Sequence, residues 1–166
     1  MDIRRLRSGD GDQLRDIRLR ALADAPYAFS SSFDREASLG PEFWDRRVAE
    51  SERGDTDAVF VAVERGQSFA MAGAYFAGRH HKLAVLWGMW VDPRARRRGL
   101  GRNLVEAVEA WARQANAERL ELAVTDCEAS RPAAALYSKL GFVETGEREP
   151  LDWNPSLIAR ILDRAL

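Results

Sequence analysis

The sequence predicts an α/β fold of the α+β kind, with a mixed, mostly antiparallel central sheet flanked by helices. Two observations carry this. Three strongly apolar, β-branched runs (58–63, 68–77 and 83–91) follow one another across hairpin-length breaks, the pattern of an antiparallel meander. After them a helix, a strand and a second helix alternate, and a helix between strands is the connection parallel neighbours need. The predicted order is β-α-α-β-β-β-α-β-α-β-β.

The elements follow in turn. Residues 2–7 are short, alternating and strand-like. Residues 10–23 place Leu14, Ile17, Leu19 and Leu22 at near-helical spacing, an amphipathic helix. Residues 26–40 are polar and aromatic, and Pro41 stands where a new helix would start. That helix presents Phe43, Trp44 and Val48. The meander breaks at Glu64-Arg65-Gly66-Gln67 and at Gly78-Arg79-His80-His81. Residues 99–115 form a helix with Leu100, Leu104, Val105, Val108 and Trp111 inward. Residues 119–124 alternate as a strand. Residues 133–140 form a short helix ended by Gly141 at its C′ position. Residues 142–149 and 157–162 are the last two strands.

Composition bounds the function. The 166 residues suit one domain over 1–166, with no repeat or linker. A hydrophobic share of 46% and a charged share of 31% are ordinary globular usage. No apolar run approaches a membrane span, and the charged N-terminus lacks a signal-peptide core. The lone Cys127 forms no intrachain disulfide, so a reducing cytoplasm is the expected compartment. A net charge of −1 argues against a protein that coats nucleic acid or an acidic membrane. Two histidines and one cysteine leave no His/Cys metal cluster, and no metal is expected. Of 25 basic residues only Lys82 and Lys139 are lysines, a bias that either phosphate binding or a GC-rich genome produces.

The most informative stretch runs from Trp87 to Asn103. A strand ends at Val91, Asp92-Pro93 breaks it, and a turn of Arg96-Arg97-Arg98-Gly99 leads into a helix. Glycines let consecutive amides converge, and the helix N-terminus adds partial positive charge, so the turn suits a diphosphate. It is not a P-loop, since Arg102 and Asn103 follow Gly101 where Lys-Ser/Thr is required. Nor is it a dinucleotide fingerprint, whose third small position is Leu104 here. A solvated charged turn capping a helix is the alternative.

The stretch resembles motif A of the GNAT superfamily of N-acetyltransferases, Arg/Gln-x-x-Gly-x-Gly/Ala. Downstream, Ser130-Arg131-Pro132-Ala133-Ala134-Ala135-Leu136-Tyr137-Ser138-Lys139-Leu140-Gly141-Phe142 resembles motif B, commonly Asn-x-x-Ala-x-x-Leu-Tyr-x-x-x-Gly-Phe. The element order matches over essentially the whole chain. The resemblance implies a GNAT-like fold and acetyl transfer from acetyl-CoA to an amine-bearing acceptor in a ternary complex. It implies that Met89, Trp90 and Val91 pair with the pantetheine arm, and that Arg96, Arg97, Arg98, Gly99, Leu100, Gly101 and Arg102 hold the diphosphate. Tyr137 matches the residue that protonates the departing thiolate, packing on the sheet being its alternative role. Ser130 stands where motif B has Asn, and a hydroxyl replaces only part of an amide's hydrogen bonding.

The chemistry sets further demands. Holding a lysine amine (pKa about 10.4) neutral at pH 7 costs roughly 4.6 kcal/mol, against about 1.4 kcal/mol for an α-amine near 8. Residues 86–91 carry no carboxylate. The general base is therefore open among Asp92, Thr125, Asp126, Glu36 and water, with Glu121 and the His80/His81 pair as further titratable groups. The resemblance puts acceptor binding in residues 26–44, with Phe29, Ser30 and Glu36 as candidates, or else those aromatics are core. A non-catalytic acyl-CoA sensor is the rival reading. The chain is expected to act as a monomer or homodimer, with neither nucleic acid nor membrane as partner.

Overall fold

The computed structural model describes residues 1–78 and 80–166. Arg79, inside the second meander break, lies outside the described residues. The elements are β1 (Asp2–Arg5), α1 (Gly11–Asp24), α2 (Phe33–Ala37), α3 (Pro41–Arg53), β2 (Asp57–Glu64), β3 (Gln67–Ala77) and β4 (Leu83–Val91). They continue as α4 (Leu100–Gln114), β5 (Arg119–Thr125), α5 (Arg131–Lys139), β6 (Val143–Leu151) and β7 (Asn154–Ala165). This is the predicted order with one short helix, α2, added. Five residues are too few for an apolar period, and α2 depends on a local cap, Ser32 Oγ accepting from Arg35 N at 3.3 Å.

The seven strands lie in the order β1-β2-β3-β4-β5-β7-β6. Every neighbouring pair is antiparallel except β4 and β5. One face carries Phe60, Ala72, Leu86, Leu120, Leu122 and Leu162 against Leu104, Val105, Val108 and Trp111 of α4. The other carries Val59, Val61, Met71 and Trp90 against Leu14, Ile17 and Leu22 of α1 and Trp44 and Val48 of α3. β6 and β7 run longer than their sequence signals. β6 is exposed along all but its last residue, so it has no buried face to imprint an alternation, and its edge position tolerates Pro150.

Two features of β4 position the site. Gly73 of β3 faces Trp87 and Met71 faces Trp90, so β4 fits one extra residue, a bulge, between those pairs. Gly88 sits there with φ +64°, a conformation that favours glycine. A bulge bends its strand, and the parallel pairing of β4 with β5 ends at Leu86 and Leu122. Beyond that point β4 keeps β3 and β5 keeps β7, but their facing edges are unpaired. Among the described residues no helix is long and apolar enough to cross a membrane.

Candidate active site

A cavity of about 620 Å³ opens where β4 and β5 part. Trp87, Gly88, Met89, Trp90 and Val91 line one side, and Ala123, Val124 and Thr125 the other. The turn before α4 and the inner face of α5 complete it through Arg97, Gly99, Gly101, Ser130, Leu136 and Tyr137. Its charged lining residues, among those described, are Arg96, Arg97, Arg102 and Lys139. Among the described residues no carboxylate lines it, so the charge of its lining is positive.

The turn is shaped by its backbone. Gly99 caps α4 at φ +79° and Arg97 stands at φ +61°. Left-handed residues alternating with ordinary ones turn successive amides to one side, at the positive end of the α4 dipole. A Cβ on Gly99 would meet nothing within 4 Å, so the space beside this turn is open. Asp24, at the end of α1, anchors the turn by accepting from Arg96 Nη2 (2.6 Å) and Trp90 Nε1 (2.9 Å). Arg96 Nε also donates to the Val91 carbonyl at 3.0 Å. Its guanidinium is thus structural, and only the neighbouring backbone is free for a ligand. Arg102 lies 4.0 Å from Glu106, a loose pair that leaves it available.

Several sequence expectations need correction. Arg98 does not line the cavity and lies 3.9 Å from Glu64, because the left-handed Arg97 turns the next side chain outward. Leu100 touches the cavity but is 5% exposed and packs in the α4 core. Asp92 is no free base: its carboxylate accepts from Arg94 Nε (3.0 Å) and Nη2 (2.7 Å) and from Arg20 Nη1 (3.0 Å). The hydrogen bonds from Arg94 hold its pKa down at about 2. Thr125 Oγ1 donates to the Tyr27 carbonyl at 2.7 Å, so it is a tether. Asp126 pairs with Arg148 (3.0 Å) and Arg160 (3.7 Å) outside the cavity.

Neither Ser30 nor Glu36 lines the cavity. Ser30 Oγ accepts from Asp152 N at 3.1 Å, while Trp153 Nε1 donates to the Phe29 carbonyl at 2.8 Å. Together these bonds fasten the loop after α1 to the β6–β7 turn. Glu36 is held by Arg18, which donates from Nε (2.8 Å) and Nη2 (2.7 Å). Phe29 lines the cavity and is also core, at 5% exposure. Of the remaining titratable groups, His81 stacks on Phe76 (4.7 Å), itself stacked on Trp111 (4.2 Å), on the α4 face. The Glu121 carboxyl is raised, mainly by burial and then by Glu147, Asp163 and Glu149, but it stands before the strands part.

Tyr137 is 5% exposed, lines the cavity and packs edge-on against Phe142 (centroids 5.8 Å apart). Its hydroxyl makes no hydrogen bond to another described residue, and burial pushes its pKa well above the ordinary phenol value. Ser130 lines the cavity with its Oγ 3.3 Å from Cys127 Sγ. Sequence reasoning missed Lys139, Asp24 and Arg18. Each lies far along the chain from the turn or bulge it serves, and no local spacing marks it.

Arg18, on α1, is 7% exposed, with its guanidinium over the rings of Phe29 (4.8 Å) and Trp87 (5.6 Å). Its Nη1 is buried with no hydrogen-bond partner among the described residues. Leaving a buried donor unpaired costs about 1–3 kcal/mol.

Comparison with known proteins agrees with this fold. The model of the acetyltransferase (GNAT) family matches residues 17–142. A search of the curated proteins finds no match. Among solved structures, an acetyltransferase of the GNAT family from Streptococcus pneumoniae superposes with TM-score 0.84 at 20% identity, covering 99% of both chains. Ribosomal-protein-alanine N-acetyltransferase from Brucella melitensis gives TM-score 0.78 at 22% identity, covering 100% of both. The paia N-acetyltransferase from Thermoplasma acidophilum, solved with coenzyme A, gives TM-score 0.75 at 14% identity, covering 99% of this chain and 98% of that one. At these identities the likeness is one of fold.

Proposed function

The chain belongs to the acetyltransferase (GNAT) family, and on that premise we propose that residues 1–166 form one acetyl-CoA-dependent N-acetyltransferase domain that acts on a primary amine by direct transfer. The observation that carries this reading is the parting of β4 and β5 onto the left-handed turn that opens α4. Unpaired strand edges suit the amides of a pantetheine arm, as an exposed edge suits a peptide. The turn amides, with Arg97, Arg102 and Lys139 nearby, suit the diphosphate. Acetyl-CoA supplies an acetyl group activated as a thioester. No metal takes part in the proposed reaction, and the lone thiol of Cys127 suits a reducing cytoplasm.

In the transfer the amine lone pair forms the C–N bond, the C–S bond breaks, and its electron pair stays on sulfur. The amine gives up one proton. With no carboxylate of a described residue lining the cavity, that proton leaves through water. Tyr137 is the hydrogen-bond donor to the departing thiolate. Its raised pKa keeps the phenol protonated, and it lies above the thiol value of about 8.5. The phenol therefore stabilises the thiolate by sharing its proton, and solvent completes the protonation.

Incubation with acetyl-CoA and a panel of amines, following free thiol and acetylated product, tests the proposal. Thiol release that depends on the amine is expected. Tight CoA binding without turnover of any amine would overturn transfer and make the chain an acyl-CoA sensor.

A further inference from the structure

We propose that Arg164, held in place by Glu109, is a positioning residue: its guanidinium fixes the end of α5 and the Phe142 ring, and through them aims the Tyr137 hydroxyl at the departing thiolate. This rests on the reading of Tyr137 as the hydrogen-bond donor and deepens it. A donor has to be aimed, and the Tyr137 hydroxyl makes no hydrogen bond to another described residue that would aim it. Its direction is therefore set by whatever holds the ring and the last turn of α5.

Two contacts hold them. Phe142 packs edge-on against the Tyr137 ring, with centroids 5.8 Å apart and planes at 67°. The backbone ties the same two residues: Phe142 N donates to the Tyr137 carbonyl and Gly141 N to the Ser138 carbonyl, each at 3.0 Å. These are the paired bonds of a helix that ends on a left-handed glycine, here Gly141 at φ +85°. Neither bond uses the carbonyl of Leu140. Arg164 of β7 supplies its donor, Nη1 at 2.5 Å, and sets a cation at the negative end of the helix. The same guanidinium has its carbon 5.7 Å from the centre of the Phe142 ring. One side chain thus holds both the end of α5 and the ring on which Tyr137 packs.

Glu109 in turn holds Arg164. Arg164 pairs with Leu120 of β5 in the sheet and reaches toward α4. Glu109 of α4 is 5% exposed, with Oε1 3.0 Å from Arg164 Nη1 and Oε2 3.4 Å from Arg113. A buried carboxylate is costly unless it is paired, so the pairing keeps the guanidinium in one place. Neither Glu109 nor Arg164 lines the cavity. Their effect on the reaction therefore passes through Tyr137. A misplacement of about 1 Å in a reacting group costs up to about 10²-fold in rate, so a small shift at the end of α5 registers in kcat.

The test is a double-mutant cycle on kcat with Arg164→Met and Tyr137→Phe, singly and together, at saturating acetyl-CoA. The acceptor is the amine of the panel that releases thiol fastest with the wild type. Methionine keeps an unbranched apolar chain and removes the cation and its donors. Arg164→Met is expected to lower kcat about fivefold or more, with both KM values within about twofold. In the Tyr137→Phe background it should have no effect on kcat, because no hydroxyl is left to aim. Equal losses in both backgrounds, or a lower Tm with kcat unchanged, would overturn the proposal alone and leave Arg164 structural. An unchanged kcat in Tyr137→Phe by itself would sink the donor reading, and the proposal with it.

Should Arg164→Met fail to fold, the double variant Glu109→Gln, Arg164→Met removes both charges together and enters the same cycle. A spectroscopic readout needs no turnover. The chain has three tyrosines, so in protein labelled with carbon-13 at tyrosine Cζ the signal missing from Tyr137→Phe is that of Tyr137. Coenzyme A should shift this signal in the wild type, and Arg164→Met should broaden or split it and weaken the shift. An identical Tyr137 signal in both proteins, free and with coenzyme A, would overturn the proposal. A signal altered by Arg164→Met, with no amine acetylated by the wild type, would sink the transfer reading and keep Arg164 as the residue that positions the Tyr137 ring.

Discussion

Thr125 Oγ1 donates a 2.7 Å hydrogen bond to the carbonyl oxygen of Tyr27, joining the last residue of β5 to the loop after α1. One wall of the parted strands is thereby tied to the segment that closes the cavity from the α1 side. The same loop is fastened from the β6–β7 turn by Asp152 N to Ser30 Oγ and Trp153 Nε1 to the Phe29 carbonyl.

Thr125→Val keeps the shape of the side chain and leaves the Tyr27 carbonyl without this donor. The expected cost is about 1–2 kcal/mol of stability, with a raised acceptor KM and little change in CoA affinity. Chemical denaturation and steady-state kinetics check it; unchanged stability and KM would remove the tether from the account.

Gly99→Val tests the turn. A β-branched residue is strained at φ +79° and places its side chain in the open space beside the turn amides. CoA affinity should fall at least tenfold, and the rise in Tm on adding CoA should largely vanish. Calorimetry on protein shown to be folded by circular dichroism decides the matter, and equal CoA affinity would refute the diphosphate assignment.

Tyr137→Phe keeps the buried ring and removes only the hydroxyl. A kcat lower by on the order of 10² is expected, with near-normal CoA affinity and Tm. Because burial raises the phenol pKa far above neutrality, the alkaline arm of the rate profile should be the same in both proteins. Matching pH profiles with equal kcat, measured where chemistry limits the rate, would leave Tyr137 a packing residue.

Asp92 sets an acid limit on stability. Its carboxyl titrates near 2 when folded, below the ordinary 3.8. The ionised form is thus the one the fold binds, and its contribution is present above about pH 4 and lost as pH falls toward 2. Arg94 is exposed, so solvent screens its share of that contribution. Asp92→Asn should lower Tm at pH 7, and the gap from wild type should close between pH 4 and 2. A constant gap across that range would show that the ion pairs contribute nothing.

The sequence by itself determined the element order apart from the short α2, the meander, the turn into α4 and the short helix carrying Tyr137. Each is a local matter: apolar period, a Gly or Pro at a fixed offset, or a motif contained in a dozen neighbouring residues. The seven-strand order and the parting of β4 from β5 were decided only in three dimensions, because a bulge and the end of a ladder depend on which residues face one another. Side-chain roles divided the same way. Asp92, Glu36 and Ser30 look free along the chain, yet Arg94 and Arg20, Arg18, and Asp152 occupy them once the chain is folded. Arg18 looks like any helix arginine until α1 packs on the sheet and seals it beside Gly88, with one nitrogen unpaired among the described residues. Burial and pairing are properties of contacts between distant segments, and local sequence does not encode them.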